Sequence, residues 1–370
     1  MSLSIGIVGL PNVGKSTLFN ALTKKCVPSE NYPFCTIEPS VGIVPVPDKR
    51  LDQLSEFSHS QKTIPAVVEF VDIAGLVEGA AKGEGLGNQF LSHIREVDAI
   101  LEIVRIFPLK GGDDDITHVY GNIDPLRDIE VINMELILAD LNTVNRRRAN
   151  IGRLIKRSDK EAIREDGVLE KIEHALEEGK LASSIELTKE ESPYVSQLTL
   201  LTTKPILYGL NKRAGSDNLD SSDPEAFKKL TDFIEASGSR YVVVDAKIED
   251  ELKELSEEEQ KELREDFSVE NDDGVNGLIK EGYELLKLMT YFTTGEDESR
   301  AWTIQRDSTA PVAGTAIHND FQDKFIRADI INWKTLVDEG SYADARSKGL
   351  IRTEGKEYVV QDGDVIEFKI

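Results

Sequence analysis

The chain has 370 residues, of which 39% are hydrophobic and 30% charged, and its formal net charge is -24. This composition is typical of a soluble globular protein with two or three domains. The negative charge argues against non-specific binding of nucleic acid by the whole surface, although a local basic patch remains compatible with RNA.

The two cysteines, Cys26 and Cys35, match neither a disulfide framework nor a zinc-ligand pattern. The N-terminal residues lack the features of a signal peptide, and no apolar run approaches the length of a membrane span. We therefore expect a cytoplasmic protein, with a monomer as the default state and no membrane partner.

Short apolar runs alternate with helical stretches along the first two thirds of the chain. They predict strands at residues 4–8, 66–71, 99–104, 205–210 and 241–244. This alternation indicates an α/β fold of the Ras-like, doubly wound class, with a mostly parallel sheet.

The strongest motif comes directly after the first strand. Residues 9–16 read Gly-Leu-Pro-Asn-Val-Gly-Lys-Ser, a complete G-x-x-x-x-G-K-S sequence followed by a helix. Backbone N–H groups in such a loop bind phosphates, assisted by the helix dipole. The predicted nucleotide contacts are Asn12, Val13, Gly14, Lys15, Ser16 and Thr17. We expect Lys15 to reach the β and γ phosphates and Ser16 to ligate Mg2+.

Two further segments complete the predicted phosphate and metal site. Thr36, in a loop after the first helix, is expected to ligate Mg2+ when the γ phosphate is present. Asp72 follows the second strand and is expected beside the metal, while the amide of Gly75 would meet the γ phosphate. Together they predict a P-loop nucleotide hydrolase.

The base-recognition segment departs from the guanine-specific pattern. Guanine-binding relatives have Asn-Lys-x-Asp here, and its carboxylate accepts from guanine N1–H and N2–H. This chain has Asn211-Lys212-Arg213-Ala214, which lacks that carboxylate unless Asp217 replaces it. We therefore favour ATP, with contacts from Asn211 and Lys212, and keep a GTP site of relaxed selectivity as the alternative.

The residue that would position the attacking water also departs from the usual pattern. Leu76 occupies the position where Ras-like enzymes have the glutamine that orients water. His118 is the best internal replacement, since imidazole can accept a proton from water, although a plain surface histidine is equally compatible. Asn12 could coordinate K+ beside the phosphates. A nucleotide-binding module with negligible turnover remains the rival interpretation.

Residues 124–201 contain helical periodicity interrupted by a polar break at 158–160, which predicts an inserted, antiparallel coiled-coil hairpin. The first arm ends in a concentrated basic segment, from Arg146 to Lys160. From Arg300 onward, β-like runs at 301–304 and 358–360 predict a compact α+β module. The expected domains are 1–123 with 202–282 for nucleotide binding, 124–201 for the hairpin and 283–370 for the C-terminal module.

The strings at residues 6–16, 31–38 and 70–90 make the chain resemble the Obg-like ATPase family, called YchF in bacteria. The resemblance implies a translation-factor-class P-loop GTPase fold, a coiled-coil hairpin and a ubiquitin-like C-terminal TGS domain. It also implies a preference for ATP, hydrolysis through a loop histidine that His118 matches, and association with the ribosome or ribosome-bound RNA, with the large subunit as the predicted partner. The family commonly has Asn-x-x-Glu where this chain has Ala214.

These observations predict a magnesium-dependent, ATP-hydrolysing switch. We expect triphosphate and Mg2+ to order the loops around Thr36 and Gly75, and hydrolysis to release them. The basic segment of the hairpin is the predicted ribosome contact.

Overall fold

The computed structural model describes residues 3–23, 40–73, 86–108, 123–252, 255, 259 and 274–370. Its strands are β1 Ser4–Val8, β2 Val41–Pro45, β3 Lys62–Ile64, β4 Val67–Asp72, β5 Ala99–Arg105, β6 Ile206–Asn211, β7 Arg240–Val244, β8 Leu288–Thr294, β9 Glu298–Gln305, β10 Arg327–Asn332, β11 Arg352–Glu354 and β12 Asp364–Lys369. They form two sheets of six strands each.

The first sheet has the order β2-β4-β1-β5-β6-β7 and is parallel except for β2, which pairs antiparallel with β4. All seven residues of β5 are buried, since helices cover both faces of this central strand. The five predicted strands agree with β1, β4, β5, β6 and β7 to within one residue at each end. The predicted α/β class is confirmed.

The helices are α1 Lys15–Thr23, α2 Lys49–Ser58, α3 Leu86–Glu96, α4 Pro125–Ile155, α5 Lys160–Glu177, α6 Ser192–Ser196, α7 Leu219–Ser222, α8 Pro224–Ala236, α9 Ala246–Leu252, α10 Val275–Leu285, α11 Ala310–Gly314, α12 Asp320–Lys324, α13 Trp333–Glu339 and α14 Tyr342–Ser347. Helix α4 begins with Pro125, and the side chain of Asp124 caps it by accepting from the Arg127 N–H.

The inserted hairpin consists of α4 and α5, and the break between them lies at residues 156–159. Apolar residues at helical spacing, including Val144, Ile151, Leu169 and Ile172, form a core that the two helices share. The helical periodicity and the polar break are thus confirmed. Near the sheet, Asp140 of α4 accepts hydrogen bonds from the backbone of Leu201 and Thr202, which joins the hairpin to the segment before β6.

The second sheet has the order β11-β10-β12-β8-β9-β3. Strand β3 belongs to the N-terminal part of the chain, yet it pairs in parallel with β9. Helix α2, which precedes β3, packs against β8 and β9, so the C-terminal module is built onto the segment between β2 and β4. The domain boundaries given above stay a prediction, but the sheet of the C-terminal module includes residues from outside 283–370.

One strand prediction in this module is wrong. Residues 358–360 do not form a strand: Val359 makes an isolated bridge to Thr309, and the neighbouring strand ends at Glu354. Tyr358 instead lies in the loop before β12, and its hydroxyl donates to the carboxylate of Asp364, the first residue of β12, at 2.8 Å. The run 301–304 does lie in β9, as predicted.

Candidate phosphate-binding site

The loop between β1 and α1 needs glycine at two positions. Gly9 has a φ of 153°, and a Cβ there would lie 2.6 Å from the carbonyl oxygen of Ile103. Gly14 has a φ of 101°, and its Cβ would lie 2.3 Å from Nδ2 of Asn211. Side chains at these positions would clash with β5 and with the end of β6. The two glycines therefore let the loop lie directly against the carboxyl ends of its neighbouring strands.

Lys15 and Asp72 lie on adjacent elements at this edge of the sheet. Strands β1 and β4 are parallel, and Asp72 is in register with Ile7, just before the loop begins. The Lys15 side chain turns back over the loop and donates to the carbonyl oxygen of Leu10 at 2.8 Å. Lys15 is 8% exposed. The structure thus brings together the predicted phosphate-binding lysine and the predicted metal-side carboxylate.

The electrostatics of this pair reflect its burial. Burial lowers the pKa of the Lys15 ammonium to about 8, against a smaller opposing effect of the Asp72 carboxylate. Burial likewise raises the pKa of Asp72, and the nearby Lys15 charge opposes that rise. Each group therefore loses more hydration than its partner compensates, which favours an added anion at Lys15 and an added cation at Asp72.

The remaining predicted residues of the loop differ in exposure. Asn12 is exposed and adopts a φ of 63°, while Val13 is buried under the loop. Ser16 is exposed and Thr17 is half-buried in the first turn of α1, where the helix N–H groups point to the same side. The first turn of α1 thus offers hydroxyl and amide groups at one surface.

Asn211 connects the loop to two other strand ends. Its Nδ2 donates to the carbonyl oxygen of Val13 at 2.8 Å, and its Oδ1 accepts from the Ala246 N–H at 3.0 Å. Asn211 is buried, and Lys212 continues the chain through a backbone hydrogen bond to Val244. The predicted base-side residues therefore lie beside the phosphate-binding loop. Thr36, Gly75, Leu76 and His118 lie outside the described residues, and their roles stay predictions.

Asp245, which follows β7, is a site residue that was not predicted from the sequence. This buried carboxylate accepts from the Ala214 N–H at 2.6 Å and from the N–H groups of Lys247 and Ile248. Since β6 and β7 are neighbouring parallel strands, residues that follow them lie at the same edge of the sheet. Extending that rule to the fifth predicted strand would have identified Asp245.

The loop between β1 and α1 requires two glycines and holds a buried lysine near the carboxylate at the end of the adjacent strand. These features define a P-loop nucleotide-binding domain. The family model described as 50S ribosome-binding GTPase matches residues 4–138. A second model, YchF-GTPase_C, described as a protein of unknown function, matches residues 288–370. The protein is thus a nucleotide hydrolase of the P-loop class.

The chain belongs to the YchF family. It is 51% identical over 369 residues to the ribosome-binding ATPase YchF of Bacillus subtilis, covering 100% of this chain and 99% of that protein. It is 47% identical over 369 residues to the ribosome-binding ATPase YchF of Escherichia coli O157:H7, again covering 100% and 99%. The solved structure of the Schizosaccharomyces pombe YchF GTPase matches with a TM-score of 0.87 and 36% identity, covering 100% of this chain and 98% of that one.

In the part of the chain that the structure describes, no helix combines the length and the apolar character needed to cross a membrane.

Proposed function

We propose that this protein is a magnesium-dependent ATP hydrolase whose nucleotide state controls its association with the large ribosomal subunit. The observation that carries the proposal is the buried Lys15 ammonium, which lies within the phosphate-binding loop and faces Asp72. In the proposal the protein acts as a monomer in the cytoplasm. The names of its bacterial relatives, ribosome-binding ATPases, support the ribosomal part.

The described residues fit a magnesium ion that is shared with the nucleotide. Asp72 and Ser16 supply hard oxygen donors, and burial of Asp72 favours an added cation. No cluster of three or more His, Cys, Asp or Glu residues occurs in the described ranges, so phosphate and water oxygens are expected to supply the remaining ligands. Thr36 is the proposed third protein ligand. When bound, Mg2+ would neutralise charge on the β and γ phosphates.

The residues of the chain then have separate tasks. Lys15 and the N–H groups of the loop hold the phosphates, and their fixed positions stabilise negative charge without reorganisation. The amide of Gly75 is proposed to contact the γ phosphate. Because Leu76 cannot orient water, His118 is proposed to accept a proton from the attacking water molecule. Asn12 is the proposed ligand of K+, which would add positive charge beside the phosphates.

The proposed preference for ATP depends on Ala214. A methyl group cannot accept from guanine N1–H and N2–H, so a bound guanine would leave these donors unpaired at a cost of about 1–3 kcal/mol. GTP is the second candidate, because the S. pombe relative is named a GTPase and the matching family model is described as GTPase.

The proposed ribosome contact is the tip of the α4–α5 hairpin. Arg153, Lys156, Arg157 and Lys160 are all exposed there, on a chain whose net charge is -24. Localised positive charge on an acidic protein is suited to binding RNA phosphates at one place while the remaining surface is repelled.

Calorimetry and phosphate release test the proposal. We expect tighter binding of Mg-ATP than of Mg-GTP, and slow ATP turnover that rises with ribosomes and with K+ in place of Na+. His118→Ala should abolish turnover while ATP still binds. His174→Ala, at an exposed histidine of α5, is the control and should keep turnover. Turnover that survives His118→Ala would reassign the proton acceptor, and tighter GTP binding would reverse the choice of nucleotide.

A further inference from the structure

Two short segments lie together where the purine of a bound nucleotide is expected. Residues 212–214 follow β6, residues 245–248 follow β7, and these strands are parallel neighbours with Asn211 in register with Val244. Asn211 also joins both segments to the phosphate-binding loop through Val13 and Ala246. A nucleotide with its phosphates on that loop would therefore present its base to these two segments, which rests on the proposed function.

The backbone N–H groups of residues 212–214 and 246–248 already have acceptors within the protein. Lys212 donates to the carbonyl oxygen of Val244 at 2.8 Å, and Arg213 donates to Oδ1 of Asn218 at 2.9 Å. Ala246 donates to Oδ1 of Asn211. The other three N–H groups donate to a single carboxylate, that of Asp245: Ala214 at 2.6 Å, Lys247 at 3.1 Å and Ile248 at 3.0 Å.

This arrangement leaves the backbone of residues 212–214 and 246–248 with hydrogen-bond acceptors, while its N–H donors are occupied. In residues 212–214 and 246–248, every backbone N–H is engaged, whereas carbonyl and carboxylate oxygens can accept further hydrogen bonds. The purine edge beside position 214 carries N1, and the substituent on C6 is the next group along that edge. Adenine has an amino donor on C6, while guanine has an oxygen that must accept. Of the two C6 groups, only the adenine amino group pairs with these backbone and carboxylate oxygens.

We propose that Asp245 is a specificity-determining residue, which excludes guanine by occupying the N–H groups that would otherwise donate to its O6 atom. The selectivity for ATP then has two sources: Ala214 does not pair with guanine N1–H and N2–H, and Asp245 withholds three backbone N–H donors from O6. An acceptor without a partner weakens binding by about tenfold, the value of one ordinary hydrogen bond. Asp245 does not need to contact the base itself, because its effect is to engage the backbone N–H groups of the neighbouring residues.

Asp245→Ser is the sharpest variant. Serine still caps α9, because a hydroxyl accepts one N–H at a helix N-terminus, but it cannot hold all three N–H groups. The ratio of the GTP to the ATP dissociation constant should fall by about tenfold, mainly through tighter GTP binding. Asp245→Asn should shift the ratio in the same direction, because an Asn Nδ2 atom cannot accept from the Ala214 N–H and so leaves that donor free. Asp223→Ser makes the same substitution at the cap of α8, where Asp223 accepts from the Ala226 N–H at 3.0 Å, and should leave the ratio unchanged.

Inosine triphosphate tests the native protein without any substitution. Inosine keeps O6 and N1–H but lacks the N2 amino group, so it should bind more tightly than GTP by the cost of one unpaired donor, yet still more weakly than ATP if O6 is rejected. Inosine triphosphate that binds as tightly as ATP would overturn the proposal, as would an unchanged ratio in both folded Asp245 variants. Native protein that binds GTP more tightly than ATP would instead overturn the proposed function, so the two failures are distinguishable.

Discussion

The side-chain amide of Asn211 donates to the carbonyl oxygen of Val13 over 2.8 Å, and this contact joins the end of β6 to the phosphate-binding loop. The same side chain accepts from Ala246, so one buried residue fixes three loops at the carboxyl edge of the first sheet. The phosphate-binding loop and the segments after β6 and β7 are therefore fixed relative to one another by this side chain.

Replacement of Asn211 by alanine should weaken nucleotide binding and lower stability together. The variant leaves the Val13 carbonyl oxygen and the Ala246 N–H without their partner, which should cost about 1–3 kcal/mol of unfolding free energy. We expect roughly tenfold weaker ATP binding by calorimetry. Asn332→Ala, which removes the cap of α13 at Lys334, is the matched control: it should lower stability and leave ATP affinity intact. Equal affinities in both variants would contradict the role of Asn211.

The basic segment of the hairpin divides into paired and exposed residues. Arg147 bonds both carboxylate oxygens of Glu165, at 2.6 and 3.0 Å, and Arg148 bonds Asp166 and Glu173 of α5. These two arginines are engaged in holding α4 to α5. The residues expected to contact RNA are therefore the exposed basic residues nearer the tip of the hairpin.

Alanine at Arg153, Lys156, Arg157 and Lys160 together should weaken co-sedimentation with ribosomes. The slope of log affinity against log salt should also become shallower by roughly 0.7–0.9 for each RNA phosphate that the variant no longer neutralises. Arg147→Ala with Arg148→Ala is the comparison: it should lower the unfolding midpoint while the salt slope changes little. If the four substitutions at the tip leave ribosome binding unchanged, the tip of the hairpin is not part of the ribosome contact.

Much of this architecture follows from the sequence because local patterns determine it. Strand β5 is apolar except at Glu102 and Arg105, and the glycines at 9 and 14 are required by the close approach of other backbone and side chains. Strand β3 could not be predicted, since Lys-Thr-Ile has half-polar character and its partner β9 lies far along the chain. The pairing of Arg147 depends on the register between two helices, and the hydrogen bonds of Asp245 depend on two loops meeting, neither of which a local pattern specifies.

The C-terminal module is held to the nucleotide-binding domain by Arg50 of α2. Its guanidinium donates to Asp48, the N-cap residue of α2, and to Asp362, which precedes β12, both at 2.7 Å. It also lies 5.2 Å from the centroid of the Phe292 ring. Arg50→Met would leave two carboxylates without their cation, one of them only 12% exposed, so we expect a loss of about 2 kcal/mol in denaturant unfolding.

The control for Arg50 is an ion pair of the same type in a more exposed place. Arg306 and Glu284 pair at 2.8 Å, with both side chains more than 40% exposed, and Arg306→Met should cost less than about 0.5 kcal/mol. Similar small losses in the two variants would mean that the Arg50 bonds do not join the module to the domain.

Glu102, in the centre of β5, should make stability fall as the pH rises. The residue is fully buried, neither carboxylate oxygen has a hydrogen-bond partner within the described structure, and Asp128 of α4 and Tyr208 of β6 face it. Burial, with a further effect of the Asp128 charge, raises the pKa of Glu102 well above its usual range. The folded protein therefore keeps this proton at a pH where the unfolded chain, with a glutamate pKa of about 4.3, releases it.

Glu102→Met removes this titration, so the variant should gain stability relative to the native protein as the pH increases. Above about pH 5 the difference should grow by roughly 1.4 kcal/mol per pH unit until the pH reaches the pKa of Glu102 in the folded state. Urea unfolding of both proteins at several pH values between 5 and 8 measures it. Glu130→Met, at an exposed position of α4, is the control for the loss of a glutamate near Glu102. A Glu102→Met difference that is constant or shrinks over this range would mean that Glu102 is already ionised in the folded protein.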